Sequence, residues 1–191
     1  MTDQQLLDVL FRQARSYGDF RDEPVPEHLL RAAHDLMKWG PTTANSQPGR
    51  ILYLKSAESR EKLRPALAPV NLEKTLKAPM VAIVAYDTRF YEHLPRLYHN
   101  PDAINWYKGE KAEINGFRNG SLQGAYLILA LRAVGLDCGP MSGFDNAKVD
   151  AAFFPDGRFK SNFLINIGYG IADKLPPRNY RFTFEEQSRI L

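Results

Sequence analysis

The 191 residues include one cysteine, Cys138, so no disulfide can close within the chain. A reducing compartment is expected from that. There is no block of like charge: 25 lysines and arginines and 22 acidic residues are dispersed, for a net charge of +3. A general nucleic-acid or membrane surface is therefore not expected, although a local anion site needs only a few well-placed cations. The N-terminus, MTDQQLLDVLFRQARS, carries acidic residues early and has no signal-peptide core. The longest apolar stretch, AYLILALRAVGL, is interrupted by Arg132 and is too short to span a bilayer. A soluble, cytoplasmic protein with no membrane partner is expected.

The common catalytic signatures are also missing. No G-x-G-x-x-G opens a helix after a strand, and no Walker loop occurs. GPMSGF places Ser142 in G-x-x-S-G, not in the nucleophile elbow G-x-S-x-G. His28, His34, His93 and His99 form no H-E-x-x-H and no Cys/His cluster, so no metal site is expected. His93 and His99 read as surface or pocket residues. Cys138 closes an apolar run and reads as a buried, inert thiol.

What is present is a core-forming chain, 44% apolar and 25% charged. Helical spacing marks Gln5–Ser16 and the PEHLLRAAHDLMKWG segment, which Pro26 opens and Gly40-Pro41 stops. RILYLK reads as a strand, SAESREKLRPAL as a helix, NLEKTLKAP as a short helix and PMVAIVAYD as a buried strand. Residues 88–111 read as a long aromatic excursion with broken helices. A long helix follows from Glu113 to Gly135, with Gly116, Gly120 and Gly124 recurring on one face. Each glycine costs roughly 1 kcal/mol against alanine in a helix. Close packing of another backbone would offset that, and a helix–helix dimer seam is one candidate. LDCGPMSGFD is a short strand entering a loop, NAKVDAAFF a helix and NFLINIGYG a strand; the tail is extended and then makes one helical turn. No repeat or linker is seen, so one domain over residues 1–191 is expected. Helices and strands do not alternate regularly, which favours α+β over a doubly wound sheet.

Three polar loops remain: PTTANSQP, GPMSGF and INIGYGIADKLPPR. With ARSYGDF and NLEKTLK, they resemble the FMN-dependent nitroreductase family, in its motif order and along nearly the whole chain. KWGPTTANSQP, RPAL, GPMSGFD and SNFLINIGYG are most similar to its malonic semialdehyde reductase branch. The resemblance implies a central, mainly antiparallel sheet flanked by helices, with an extended C-terminal tail embracing the partner subunit of a homodimer. It also implies FMN at the subunit interface and NADH or NADPH as hydride donor.

The resemblance assigns Arg15, Ser16 and Arg178 to the FMN phosphate, with Lys174 or Arg181 completing the site. Two usual basic positions are Gly18 and Pro176 here. It assigns Asn71 and Lys74 to the pyrimidine edge, where Lys74 would stabilise negative charge on reduced flavin. Pro140, Met141, Ser142 and Gly143 form the loop whose N–H groups approach N5. Pro41, Thr42, Thr43 and Asn45 would reach the flavin held mainly by the other chain. The implied activity is ping-pong hydride transfer through flavin N5 to a small acceptor, such as malonic semialdehyde reduced to 3-hydroxypropionate. The alternatives are a broad nitro and quinone reductase, or a flavin-binding module without turnover. Phe90, Tyr91, Trp106 and Tyr107 are expected to wall the acceptor site or to pack as an ordinary lid or core. Arg89, Arg96 or Lys108 could pair an acceptor carboxylate.

Overall fold

The computed structural model describes residues 2–191. Four strands make one antiparallel sheet in the order β1 (Gly49–Leu54), β2 (Met80–Asp87), β4 (Phe159–Gly168), β3 (Asp137–Met141). The helices are α1 (Asp3–Leu7), α2 (Glu27–Met37), α3 (Ala57–Glu61), α4 (Pro69–Lys77), α5 (Leu94–Leu97), α6 (Glu110–Ala133), α7 (Asn146–Phe153) and α8 (Phe184–Gln187). None among the described residues is long and apolar enough to cross a membrane.

Both faces of the sheet are covered, and that explains the unbroken apolar run of β2, buried at every position. Met80, Ala82 and Val84 point to one core with Ile165, Ile167, Cys138, α2 and α6. Val81, Ile83 and Ala85 point to the other with Leu164, Leu63, Leu67 and Val149 of α7. Alternate residues thus serve opposite cores, as the strand's two-residue period requires.

Several expected elements differ. The N-terminal helix is α1 followed by a π-helical turn at Asp8–Arg12, and it stops before Ala14. Arg15–Tyr17 leave it because the edge of β3 accepts them: Ser16 bridges Cys138 in parallel, and Tyr17 N–H donates to Cys138 C=O (3.0 Å). The expected helix after Ser56 is short. Ser56 caps α3 through Ser59 N–H (3.0 Å), and Pro65 leaves only a 3-10 turn at Arg64–Ala66.

The glycine face of α6 is not a seam between helices; it lies on the chain's own sheet. A Cβ at Gly116 would sit 2.8 Å from the Tyr86 ring, at Gly120 3.1 Å from Tyr86 Cβ, and at Gly124 2.7 Å from Phe163 and 3.0 Å from Val84. Close backbone packing is what the glycines permit, with a sheet as the partner.

Where β2 ends, Asp87 is 1% exposed and gathers several groups. Arg50 donates to it at 2.9 Å, Arg158 at 3.1 and 3.2 Å and Arg89 N–H at 2.9 Å, while His93 Nε2 lies 3.4 Å away. Arg158 also pairs with Glu92 (2.9 Å). This cluster ties β1, β2 and β4 to the start of the 88–111 excursion. Burial pushes the Asp87 carboxyl up, but Arg158, the Arg89 N–H and Arg50 outweigh it and hold it below its usual value.

Two outcomes follow from this packing. On a free helix Gly→Ala stabilises by about 1 kcal/mol; Gly124→Ala is instead expected to destabilise by about 1–3 kcal/mol through overpacking. A lowered urea midpoint is the readout, and an unchanged one would show that α6 can rise off the sheet. Asp87→Asn should cost about 3 kcal/mol at neutral pH, because it takes the buried carboxylate away from two half-buried arginines, only one of which keeps another counter-ion, Glu92. The folded carboxyl titrates below the unfolded one, so its contribution is complete above about pH 3.9 and fades as pH falls through the lower folded value. Urea midpoints measured down that range should converge for wild type and variant; a constant gap would refute the assignment.

Candidate functional site

Four segments converge beyond the open edge of β3: the Arg12–Asp19 loop, α4, the Met141–Phe144 loop and the Tyr169–Arg178 tail. The first and last are laced together. Arg21 N–H donates to Tyr169 C=O (2.8 Å) and Ile171 N–H to Asp19 C=O (3.1 Å). Arg15 reaches from the loop to the Pro176 carbonyl, and Arg178 reaches back to the carbonyls of Arg12 (3.0 Å) and Ala14 (3.2 Å). Lys174 pairs with Asp19 (3.1 Å), which puts it in this group. Arg181 donates to the carbonyls of its own neighbours Asn179 and Tyr180 and stays outside.

Glycine is required where these segments meet. A Cβ at Gly139 would collide with the Tyr17 carbonyl, and one at Gly143 with the Asn71 carboxamide. Asn71, buried in α4, donates Nδ2–H to Gly143 C=O (2.9 Å), which also accepts Ala68 N–H (3.0 Å). The Met141–Phe144 loop is thereby clamped to the start of α4. Thr75 donates to the Met141 sulfur (3.3 Å), and Pro140 lies in β3 beside Ile165. The N–H groups of Ser142 and Gly143 make no backbone hydrogen bond among the described residues.

The charges of this group are unbalanced. Arg15, Lys74 and Arg178 have no carboxylate partner among the described residues. The stem of Lys74 runs past Gly18, with Cδ 3.9 Å from where a Cβ would stand. Below it, fully buried Asn166 donates to Lys74 C=O (3.2 Å), while its Oδ1 finds no partner. Burial, then Asp137, pushes the Tyr17 hydroxyl up, with Arg15 opposing. Burial pushes the Cys138 thiol up to about 12, so it is inert as expected.

Pro41, Thr42, Thr43 and Asn45 are not in this group. They precede β1, at the opposite edge of the sheet, three inter-strand spacings or about 14 Å from β3. Ala44, Asn45 and Gln47 have φ of 47°, 50° and 42°, left-handed values that non-glycine residues rarely adopt. Asn45 spends its carboxamide within the chain, donating to Leu97 C=O (2.9 Å) and accepting from Gln47 Nε2 (3.0 Å). Thr43 Oγ1 meets the Tyr107 hydroxyl at 3.3 Å. This loop is therefore fastened to the 88–111 excursion.

In the excursion, Phe90 and Tyr107 are buried with Leu94, Ala103 and Ala112 in a small core of their own. Tyr91 and Trp106 stay nearer the surface, and Arg89, Arg96 and Lys108 are exposed. Sequence reasoning missed Asp19, Asn166, Asp87, Asn119 and Gln123. Only Asp87 carried a signal, as a charge closing a buried strand.

Comparison with known proteins agrees with this architecture. The model of the nitroreductase family matches residues 11–169. A Ralstonia nicotianae protein with the provisional name NADH dehydrogenase/NAD(P)H nitroreductase is 52% identical over 188 residues, covering 97% of this chain and 96% of its own. A provisionally named nitroreductase from Exiguobacterium sibiricum, solved in complex with FMN, superposes with a TM-score of 0.87 at 19% identity, over 100% of this chain and 98% of that one. A provisionally named NAD(P)H:FMN oxidoreductase from Staphylococcus epidermidis superposes at 0.84 with 19% identity, over 97% and 95%. The chain belongs to the nitroreductase family.

Proposed function

We propose that this nitroreductase-family enzyme is an FMN-dependent NAD(P)H oxidoreductase, one unit over residues 1–191 in each chain of a homodimer. The observation that carries the reading is that Arg15, Lys74 and Arg178, cations without a carboxylate partner among the described residues, lie on segments that meet about β3, where the N–H groups of Ser142 and Gly143 make no backbone hydrogen bond among those residues. Arginine matches phosphate oxygens in a two-pronged geometry. Arg15, Ser16, Lys174 and Arg178 would hold the phosphate. Asn71 and Lys74 would face the pyrimidine edge, with Lys74 as an electrostatic stabiliser. Pro140, Met141, Ser142 and Gly143 would line the edge where the redox chemistry occurs. Bound FMN would supply hydride transfer from NADH or NADPH to a small acceptor.

The homodimer accounts for the second group. Pro41, Thr42, Thr43 and Asn45 lie too far from β3 to complete the same site within one chain, so a second copy would bring them to it. The tail supports the same assembly: Tyr180, Phe182 and Phe184 are exposed, and a cavity of about 890 Å³ lies between α2 and the open edge of β1. Because the Asn45 carboxamide is already engaged, its contribution to cofactor retention would come from shaping the loop.

For the acceptor, exposed Arg96 and Lys108 favour a small carboxylate-bearing aldehyde such as malonic semialdehyde, reduced to 3-hydroxypropionate. Exposed Trp106 favours the second reading, a broad nitro or quinone reductase. Arg96→Ala should raise KM for the semialdehyde and leave quinone kinetics unchanged; equal kinetics for both would remove Arg96 from acceptor binding.

The purified dimer, loaded with FMN under anaerobic conditions, should lose its yellow colour on addition of NADH or NADPH. Retention of colour with both nicotinamides would leave a flavin-binding module without turnover. Lys74→Met should slow that reduction by about a hundredfold, the scale of losing one preorganised electrostatic contact. Stopped-flow absorbance at saturating nicotinamide measures it, and a wild-type rate would refute the role of Lys74.

A further inference from the structure

The loop before β1 holds three left-handed residues, so something outside it must keep it in shape. Two buried carboxamides on α6 do so, one helical turn apart. Asn119 is 3% exposed; its Oδ1 accepts Thr43 N–H at 2.8 Å, and its Nδ2 is fixed by Asn115 C=O at 2.8 Å. Gln123 is 5% exposed, and its Oε1 accepts Gly49 N–H at 2.6 Å. A Cβ at Gly49 would lie 2.7 Å from that oxygen, so a side chain there would push the carboxamide off its acceptor position. The two acceptors therefore grip the loop at both ends. They reach it because Gly120 and Gly124, the residues next to each, seat α6 closely on β2 and β4.

We propose that Asn119 and Gln123 are positioning residues for cofactor binding: they set the loop that presents Pro41, Thr42, Thr43 and Asn45 to FMN held by the other subunit. This rests on the FMN reading above. An apolar side chain at 119 would leave Thr43 N–H without its acceptor and release the strained segment. An aspartate there would keep the acceptor oxygen.

The test is FMN titration of the full-length apo-dimer by fluorescence quenching, with the visible circular dichroism of bound flavin as a second readout. Asn119→Leu is expected to weaken FMN about tenfold, the scale of one orphaned buried N–H, and to change the flavin dichroism. Asn119→Asp should restore both to near wild type. If Asn119→Leu does not fold, Thr43→Pro and Thr43→Val decide. Proline removes the N–H and suits the extended backbone of Thr42 (φ −138°, ψ 155°), whereas valine removes only the hydroxyl. Weaker FMN binding by the proline variant than by the valine variant supports the proposal. Equal binding by the two, or wild-type affinity and dichroism in Asn119→Leu, overturns it and leaves the FMN reading standing. A wild-type protein that takes up no FMN overturns both.

Discussion

Where α6 crosses β2 and β4 a methyl group would overlap its neighbours at Gly116 and Gly124 and press tightly on Tyr86 at Gly120. Much of the molecule depends on this close seating. It brings Asn119 and Gln123 within hydrogen-bond reach of the loop before β1. It also sets Glu113 beside Tyr86 and Lys160, which binds the start of the helix to two strands. A helix carried a little higher would still bury Leu127 and Leu131, but it would drop the backbone N–H groups that shape the loop. Hydrophobic burial tolerates small shifts; hydrogen bonds to buried donors do not.

The arginines differ in how their charge is balanced. Arg50 and Arg158 share the buried Asp87 carboxylate and lock the root of the excursion. Arg15 and Arg178 touch only backbone carbonyls, each in the segment opposite its own. Those carbonyls orient the guanidiniums without neutralising them, so their charge stays available to an anion. Lys74 is half-buried with the same lack of a counter-ion. A cation held in place but left uncompensated is what a phosphate or a reduced cofactor requires.

The strands and their helix partners were legible because apolar runs and stop signals report burial directly. β2, β4, α2 and α7 lie close to where pattern reading puts them. Of the residues that the family resemblance names, those on the Arg15–Ser16, α4, Pro140–Gly143 and tail segments come together about β3, while Pro41, Thr42, Thr43 and Asn45 stay at the far edge of the sheet. What was not legible depends on distant contacts. Arg15 and Ser16 follow a helical pattern but, with Tyr17, join the edge of β3, because an open strand offers partners that a fraying helix end lacks. The α6 glycines read as a subunit seam because spacing shows that a face is flat, not what lies against it. Phe90 and Tyr107 read equally as walls or as an ordinary lid or core, and only the contacts with Leu94, Ala103 and Ala112 show them in a core. Asn119 and Gln123 look like ordinary polar helix residues until the helix is laid on the sheet.

The loop before β1 shows why the fold keeps such costly features. Its left-handed residues each cost on the order of 1 kcal/mol, and Ser46 Oγ is buried there without a partner. A relaxed turn would be more stable for the isolated chain. The strained form instead leaves Pro41, Thr43 and Asn45 exposed while its backbone is anchored to α6 and Arg50 and the Asn45 side chain to the Leu97 carbonyl. Because Arg50 also holds Asp87, and Asn45 and Thr43 touch Leu97 and Tyr107, loop and excursion form one connected body. A change in the excursion would therefore be felt in the loop, through these hydrogen bonds and through Ala44, which packs on the excursion's small core.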